Sequence, residues 1–70
     1  MSKTNVKNNI RTLRFHRNEM TQQELAEQVG VTRQTIVAIE KERYSPSLES
    51  AFKIAVALDV PLDEVFRYEP

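Results

Sequence analysis

Between residues 21 and 41 the apolar side chains recur every three or four positions, and the phase breaks once, at the chain's only glycine. Leu25, Ala26 and Val29 fall on one face of a first helix, and Ile36 and Ile39 on one face of a second. Thr21 followed three residues later by Glu24 is a capping-box pattern, so the first helix is predicted to begin there. Gly30 ends it, because a left-handed backbone is low in energy only without a Cβ. Val31 turns inward, and Thr32 is a suitable N-cap for the second helix. The outward face of that helix, residues 32–41, carries Arg33, Gln34, Val37, Ala38 and Lys41. Side chains of this kind read base edges and phosphates.

Upstream, the spacing predicts a helix from about residue 8, with Ile10 and Leu13 inward, Arg11 and Arg17 outward, and Arg14 beside the inward stripe. The polar residues before it, with a lone Val6, fit either a frayed end or a short strand. Met20 can act as a hydrophobic staple ahead of the Thr21 cap. Phe15 falls off the inward stripe, and His16, without a ligand-type neighbour, reads as a surface residue. Downstream, Pro46 and Ser47 open a helix over residues 48–58. Leu48, Ala51, Ile54, Ala55 and Leu58 form one face of it, and Phe52 and Val56 add a second. A helix so apolar is expected to be central. Asp59, Val60 and Pro61 break it. Leu62, Val65 and Phe66 then face inward from a last short helix, with Asp63 and Glu64 in its first turn. The tail from Phe66 alternates as a strand does.

Composition narrows the class. Seventy residues make one domain, residues 1–70, near the lower limit for a core built of apolar side chains alone. With no cysteine, neither disulfides nor thiolate metal sites are expected, and a reducing cytoplasm is the expected setting. The amino-terminal stretch holds no apolar run of signal-peptide type, and nothing approaches the roughly 20 apolar residues of a membrane span. No glycine-rich phosphate loop, metal-ligand cluster or nucleophile–base pair is present, and Asp63 and Glu64, being adjacent, diverge on a helix. An enzyme is therefore not expected, nor a cofactor, a metal or a small-molecule ligand. Net charge is zero, which alone argues against a nucleic-acid partner. Its distribution points the other way. Residues 1–43 carry eight basic and five acidic side chains, and residues 44–70 carry two and five. That division suits a basic half facing phosphate and an acidic half turned away.

The helix pair resembles the helix-turn-helix of the phage repressor and Cro type, the XRE family. The likeness rests on Ala26, a small residue at the close approach of the helices, and on Gly30 four positions later. Leu25, Val29, Val31, Ile36 and Ile39 complete the register, and the likeness continues through residues 44–66. It implies an all-α, compact five-helix phage-repressor-like domain. Small stand-alone members add a short two-stranded antiparallel ribbon of the chain ends, here residues 4–7 with 66–69. The implied function is a transcriptional regulator, a repressor, binding double-stranded DNA with residues 32–41 in the major groove. On that reading Arg33 contacts guanine, Gln34 adenine, and Val37 and Ala38 thymine methyls. Gln22, Thr32, Thr35, Lys41, Arg43 and Tyr44 would supply phosphate contacts. In the family, an arginine at the place of Arg14 pairs with a glutamate late in the recognition helix, here Glu40.

Two departures stand out. The link before Thr21 looks one residue longer than usual, and Glu42 stands where the family often has glycine. Glu42 either adopts a left-handed conformation at about 1 kcal/mol or lets the helix end differently. It also brings a negative charge towards phosphate. The resemblance further implies a homodimer on an inverted-repeat operator. Val60, Leu62, Val65, Phe66 and Tyr68 are more apolar residues than a short helix and tail can hide, so they are the expected interface. The alternative is a protein-interaction module, antitoxin- or antirepressor-like, using the same fold. Such a module would show no salt-dependent affinity for duplex DNA. A detached domain of a longer regulator is less expected, since no linker follows the last helix.

Overall fold

The chain runs β1 (Val6–Asn8), α1 (Ile10–His16), α2 (Gln22–Val29), α3 (Arg33–Glu40), α4 (Leu48–Leu58), α5 (Leu62–Val65) and β2 (Phe66–Tyr68). This is a computed structural model that describes residues 4–70; the first three residues of the polar leader lie outside the described residues. The five helices and the ribbon agree with the expected architecture. No helix among the described residues is long and apolar enough to cross a membrane.

Local rules account for most helix ends. The Thr21 hydroxyl accepts from the Glu24 amide at 3.0 Å while the Glu24 carboxylate accepts from the Thr21 amide at 2.8 Å. Both halves of the capping box are therefore made. Thr32 caps α3 and Ser47 caps α4 in the same way, each accepting from the amide three residues on. Gly30 closes α2 with φ of 86°, and Asp59 closes α4 with φ of 60°. A Cβ built on Gly30 would meet nothing within 4 Å, so only backbone strain opposes a side chain there. Gly30→Val is thus expected to lower stability by about 1–2 kcal/mol, with Gly30→Asn clearly milder. Equal melting curves for wild type and both variants would refute the left-handed turn.

The start of α1 departs from the periodicity. Asn8 does not open the helix; it pairs with Phe66 in the ribbon. Its carboxamide oxygen instead accepts from the Ile10 amide at 3.1 Å, and the Asn9 amide donates to the Val65 carbonyl at 2.9 Å. The helix begins only at Ile10 because these long-range bonds claim the preceding backbone. The ribbon is antiparallel, Val6 opposite Tyr68, Lys7 opposite Arg67 and Asn8 opposite Phe66. It sits slightly deeper in the amino-terminal segment than expected, and the Glu69 amide extends it to the Asn5 carbonyl at 2.9 Å.

Ile10, Leu25, Ile36, Ile54 and Val65 are fully buried and draw one side chain from each helix into a common centre. Met20, Ala26, Val29, Ile39, Ala55 and Leu58 pack around them. Two expectations fail here. Leu48, expected on the inward face of α4, is 69% exposed, and Phe52 and Val56 are also exposed. α4 packs mainly on α2 and α5. Those two cover the Ala51, Ile54, Ala55 and Leu58 face, and the adjoining flank of Leu48, Phe52 and Val56 is left uncovered. Val65, expected at a dimer interface, is wholly enclosed by its own core, so it cannot face a second copy. Val60, Leu62 and Phe66 are half-buried against that core, and Tyr68 is exposed. Phe15 and His16 lie on the surface, edge to face with centroids 5.9 Å apart.

Candidate nucleic-acid interface

α2 and α3 meet through the tight turn at Gly30, which sets the start of α3 at the surface. Arg33 and Gln34 project from its first turn and are exposed; Val37 and Ala38 follow one turn later, half-buried. Arg33, Gln34, Val37, Ala38, Lys41 and Arg43 line one shallow depression. A second cleft adjoins it, where Arg33, Val37 and Lys41 face Arg11 of α1 and Gln22 of α2. Tyr44 is half exposed on the loop that follows α3.

Ion pairing sorts the cations. Among the described residues, Lys7, Arg14, Arg17, Lys53 and Arg67 each have an acidic partner. Arg11, Arg33, Lys41 and Arg43 have none among those residues, and all four lie on the two adjoining depressions. These four cations outnumber the acidic residues of the same depressions, Glu19 and the Arg14-paired Glu40, and such an excess in a chain of zero net charge is an electrostatic footprint for polyanions. Arg11 is the addition that periodicity did not single out. It stands one turn before Arg14 on α1, and the pairing of Arg14 with α3 is the signal that could have placed it here.

Arg14 fixes the frame behind this face. Its Nε donates to Glu40 Oε2 at 2.7 Å, Nη2 to Glu40 Oε1 at 3.1 Å, and Nη1 to the Met20 carbonyl at 2.9 Å. One guanidinium thereby joins α1, the α1–α2 link and the end of α3. Such a planar fork suits two parallel bonds to a carboxylate. The link needs this support, because Asn18 and Glu19 are both left-handed, at φ of 57° and 53°. Gln22 also donates to Glu40, at 3.2 Å, so one of its two amide hydrogens is already engaged. The Thr32 and Thr35 hydroxyls likewise face each other at 3.0 Å within the cap of α3.

Glu42 takes the left-handed alternative, at φ of 62°. The Glu42 amide donates to the Ile39 carbonyl and the Arg43 amide to the Ala38 carbonyl, both at 3.0 Å, the bonds of a Schellman ending. Its charge is met by Lys7 at 3.3 Å, and its carbonyl accepts from the Thr4 amide at 3.1 Å. Asn8 donates to the Ile39 carbonyl at 2.9 Å. The amino-terminal strand therefore holds the last turn of α3, a role for Lys7 and Asn8 that spacing could not reveal. Glu42→Gly is expected to remove about 1 kcal/mol of backbone strain while losing a surface pair of about 0.2–1 kcal/mol. Melting should rise slightly or hold, and affinity for duplex DNA should rise as Lys7 is released. A loss above about 1 kcal/mol would mean the ion pair outweighs the strain.

The buried helix pair, the left-handed turn and the cationic face define a helix-turn-helix transcriptional regulator. The sequence model of the helix-turn-helix family matches residues 10–65, and the chain belongs to that family. Among its relatives is an uncharacterized HTH-type transcriptional regulator of Methanocaldococcus jannaschii, 48% identical over 64 residues, covering 91% of this chain and 96% of the relative. The cryptic phage CTXphi transcriptional repressor RstR of Vibrio cholerae is 41% identical over 56 residues, 80% of this chain and 50% of the repressor. A crystal structure of a Bacteroides fragilis protein matches with a TM-score of 0.76 at 27% identity, covering 89% of this chain and 98% of its own. The expected likeness to phage-type repressors is borne out.

Proposed function

We propose that the protein is a cytoplasmic repressor that binds an inverted repeat of double-stranded DNA as a twofold dimer, with α3 in the major groove. The observation that carries this reading is the gathering of Arg11, Arg33, Lys41 and Arg43, all without acidic partners among the described residues, around the outward face of α3. Arg33 reads guanine through O6 and N7, Gln34 reads adenine, and Val37 and Ala38 meet thymine methyls. Lys41, Arg43, Tyr44, Thr32 and Thr35 hold phosphates, and Arg11 joins them from α1. Gln22 gives one amide hydrogen to Glu40, and its second amide hydrogen and the amino end of α2 remain to donate to phosphate. Repression follows from occupancy of the duplex, and the name of the Vibrio relative supports it. Four unpaired cations on one face suit a polyanionic duplex, and salt-dependent affinity for duplex DNA separates this reading from a module that binds only protein.

The test is a salt series with a duplex selected from random sequence and with an unselected duplex. Arg33→Ala should lose about 1–3 kcal/mol on the selected duplex and relax choice at one base pair. Arg11→Ala should weaken both duplexes alike and reduce the salt slope by about one. Affinity independent of salt would exclude the reading. Equal losses on both duplexes for Arg33→Ala would move Arg33 to the phosphate set.

A further inference from the structure

Leu48, Phe52 and Val56 form a ridge along α4 at four-residue spacing, and they are 69%, 50% and 78% exposed. Burying apolar surface drives association, so an uncovered ridge of three large side chains calls for a partner. The surface continues over the last turn of α2 through Gln28, Val29 and Gly30. It shares no residue with the depressions around α3 or with the apolar hollow at the terminal ribbon. Its rim carries Arg17 and Lys53 against Glu27 and Glu49, so no net field favours a basic or an acidic partner. Glu49 and Lys53 stand one turn apart, 3.5 Å from each other, and both are largely exposed.

We propose that this face of α4 docks on the same face of a second copy across a twofold axis near Phe52. Contacts of this symmetry require a surface complementary to itself, and the ridge meets that condition in charge, with Glu49 and Lys53 one turn apart along its edge. Ridges of four-residue spacing interdigitate when two helices cross at about 50°. The axis reverses one helix against the other, so Leu48 meets Val56 of the partner subunit and the two Phe52 rings meet each other. Aromatic pairs of that kind favour offset or edge-to-face contact. The same operation keeps both charged edges on one side. Glu49 then faces Lys53 of the partner subunit, and the symmetry repeats the pair. Joined at once through α4 and through the terminal patch, four chains hold two DNA-bound pairs together, which makes binding to neighbouring operators cooperative. That consequence rests on the proposed dimeric DNA binding; the α4 contact does not.

Sedimentation equilibrium of the full chain without DNA, from low to high micromolar, tests the contact. Beyond pairing through the terminal patch, the wild type should show a further concentration-dependent doubling of mass, and Phe52→Glu should abolish that further step. Glu49→Lys and Lys53→Glu should each abolish it too, and an equimolar mixture of the two should restore it. A merely destabilised fold cannot produce that rescue. On a duplex with two inverted repeats, the wild type should fill the second repeat roughly tenfold more tightly than the first. Phe52→Glu should bind the repeats independently and a single repeat as the wild type does. A wild type whose mass never exceeds that of the Phe52→Glu chain would overturn the proposal, and so would a further doubling that survives Phe52→Glu and both charge reversals. Doubling that follows the expected variant pattern in a protein that binds no duplex would uphold the contact and overturn the DNA reading instead.

Discussion

Arg14→Ala should lower the unfolding free energy by about 3–5 kcal/mol, the range for leaving one member of a buried ion pair without its partner. The Arg14 and Glu40 side chains are only 14% and 9% exposed, so water screens the pair poorly. Removal strands the Glu40 carboxylate with the Gln22 amide as its remaining donor. It also removes the bond that ties the Met20 carbonyl, and with it the two left-handed residues of the link. A chain of this size holds on the order of 4–10 kcal/mol in all, so the variant would be largely unfolded or close to it at physiological temperature. Urea denaturation followed by far-ultraviolet circular dichroism measures the loss. The double replacement Arg14→Met with Glu40→Leu should recover most of it, because neither charge is then buried alone. A single-variant loss below about 1 kcal/mol would class the pair with ordinary exposed ones.

Much of this frame was legible in the sequence because its causes are local. The Thr21–Glu24 box, the Gly30 turn and the Thr32 cap each depend on a few consecutive residues, and all three stand as expected. The start of α1 was not legible, because Asn8 and Asn9 are claimed by β2 and α5, nearly sixty residues away in the chain. The exposed ridge of α4 failed for another reason. Apolar spacing reports which faces could be buried, while the number of available neighbours decides which are, and only one side of α4 is well covered. Val65 and Tyr68 lie three positions apart, yet one is enclosed and the other open, because the chain turns from helix to strand between them. Glu42 left two local outcomes open, and a lysine thirty-five residues upstream accompanies the left-handed one. The partnerless state of Arg11 likewise depends on where every carboxylate in the fold lies.

Tyr68→Glu is expected to weaken binding to an inverted repeat by about a thousandfold, from the 10⁻⁸ M range towards that of non-specific association. A single recognition helix meets only a few base pairs, and two related by a twofold axis read half-sites about 34 Å apart on one face of the duplex. The chain measures 31 by 22 by 20 Å, so two copies side by side span that separation without a linker. Val6, Leu62, Phe66 and Tyr68 line an apolar hollow where the ribbon meets α5, bordered by Asp63 and Arg67. Opposite charges at its border let a twofold copy set Asp63 against Arg67 of the partner subunit. Tyr68 is 67% exposed and Leu62 is half-buried, so the tyrosine can change with little cost to the fold. The position also matters for α3, because β1 carries both Val6 in this hollow and the Lys7 and Asn8 contacts that hold the end of α3. A second copy seated there therefore steadies the strand that steadies the reading helix. Sedimentation with and without an inverted-repeat duplex provides the measurement, with Leu62→Glu as a companion variant. Tyr68→Glu should lose the pairing through the terminal patch, keeping only the association that Phe52→Glu removes, and should prefer the full repeat over a single half-site hardly at all. A wild-type monomer that binds one copy per site would end the dimer reading, and a Tyr68→Glu chain that still binds as two copies would move the interface elsewhere.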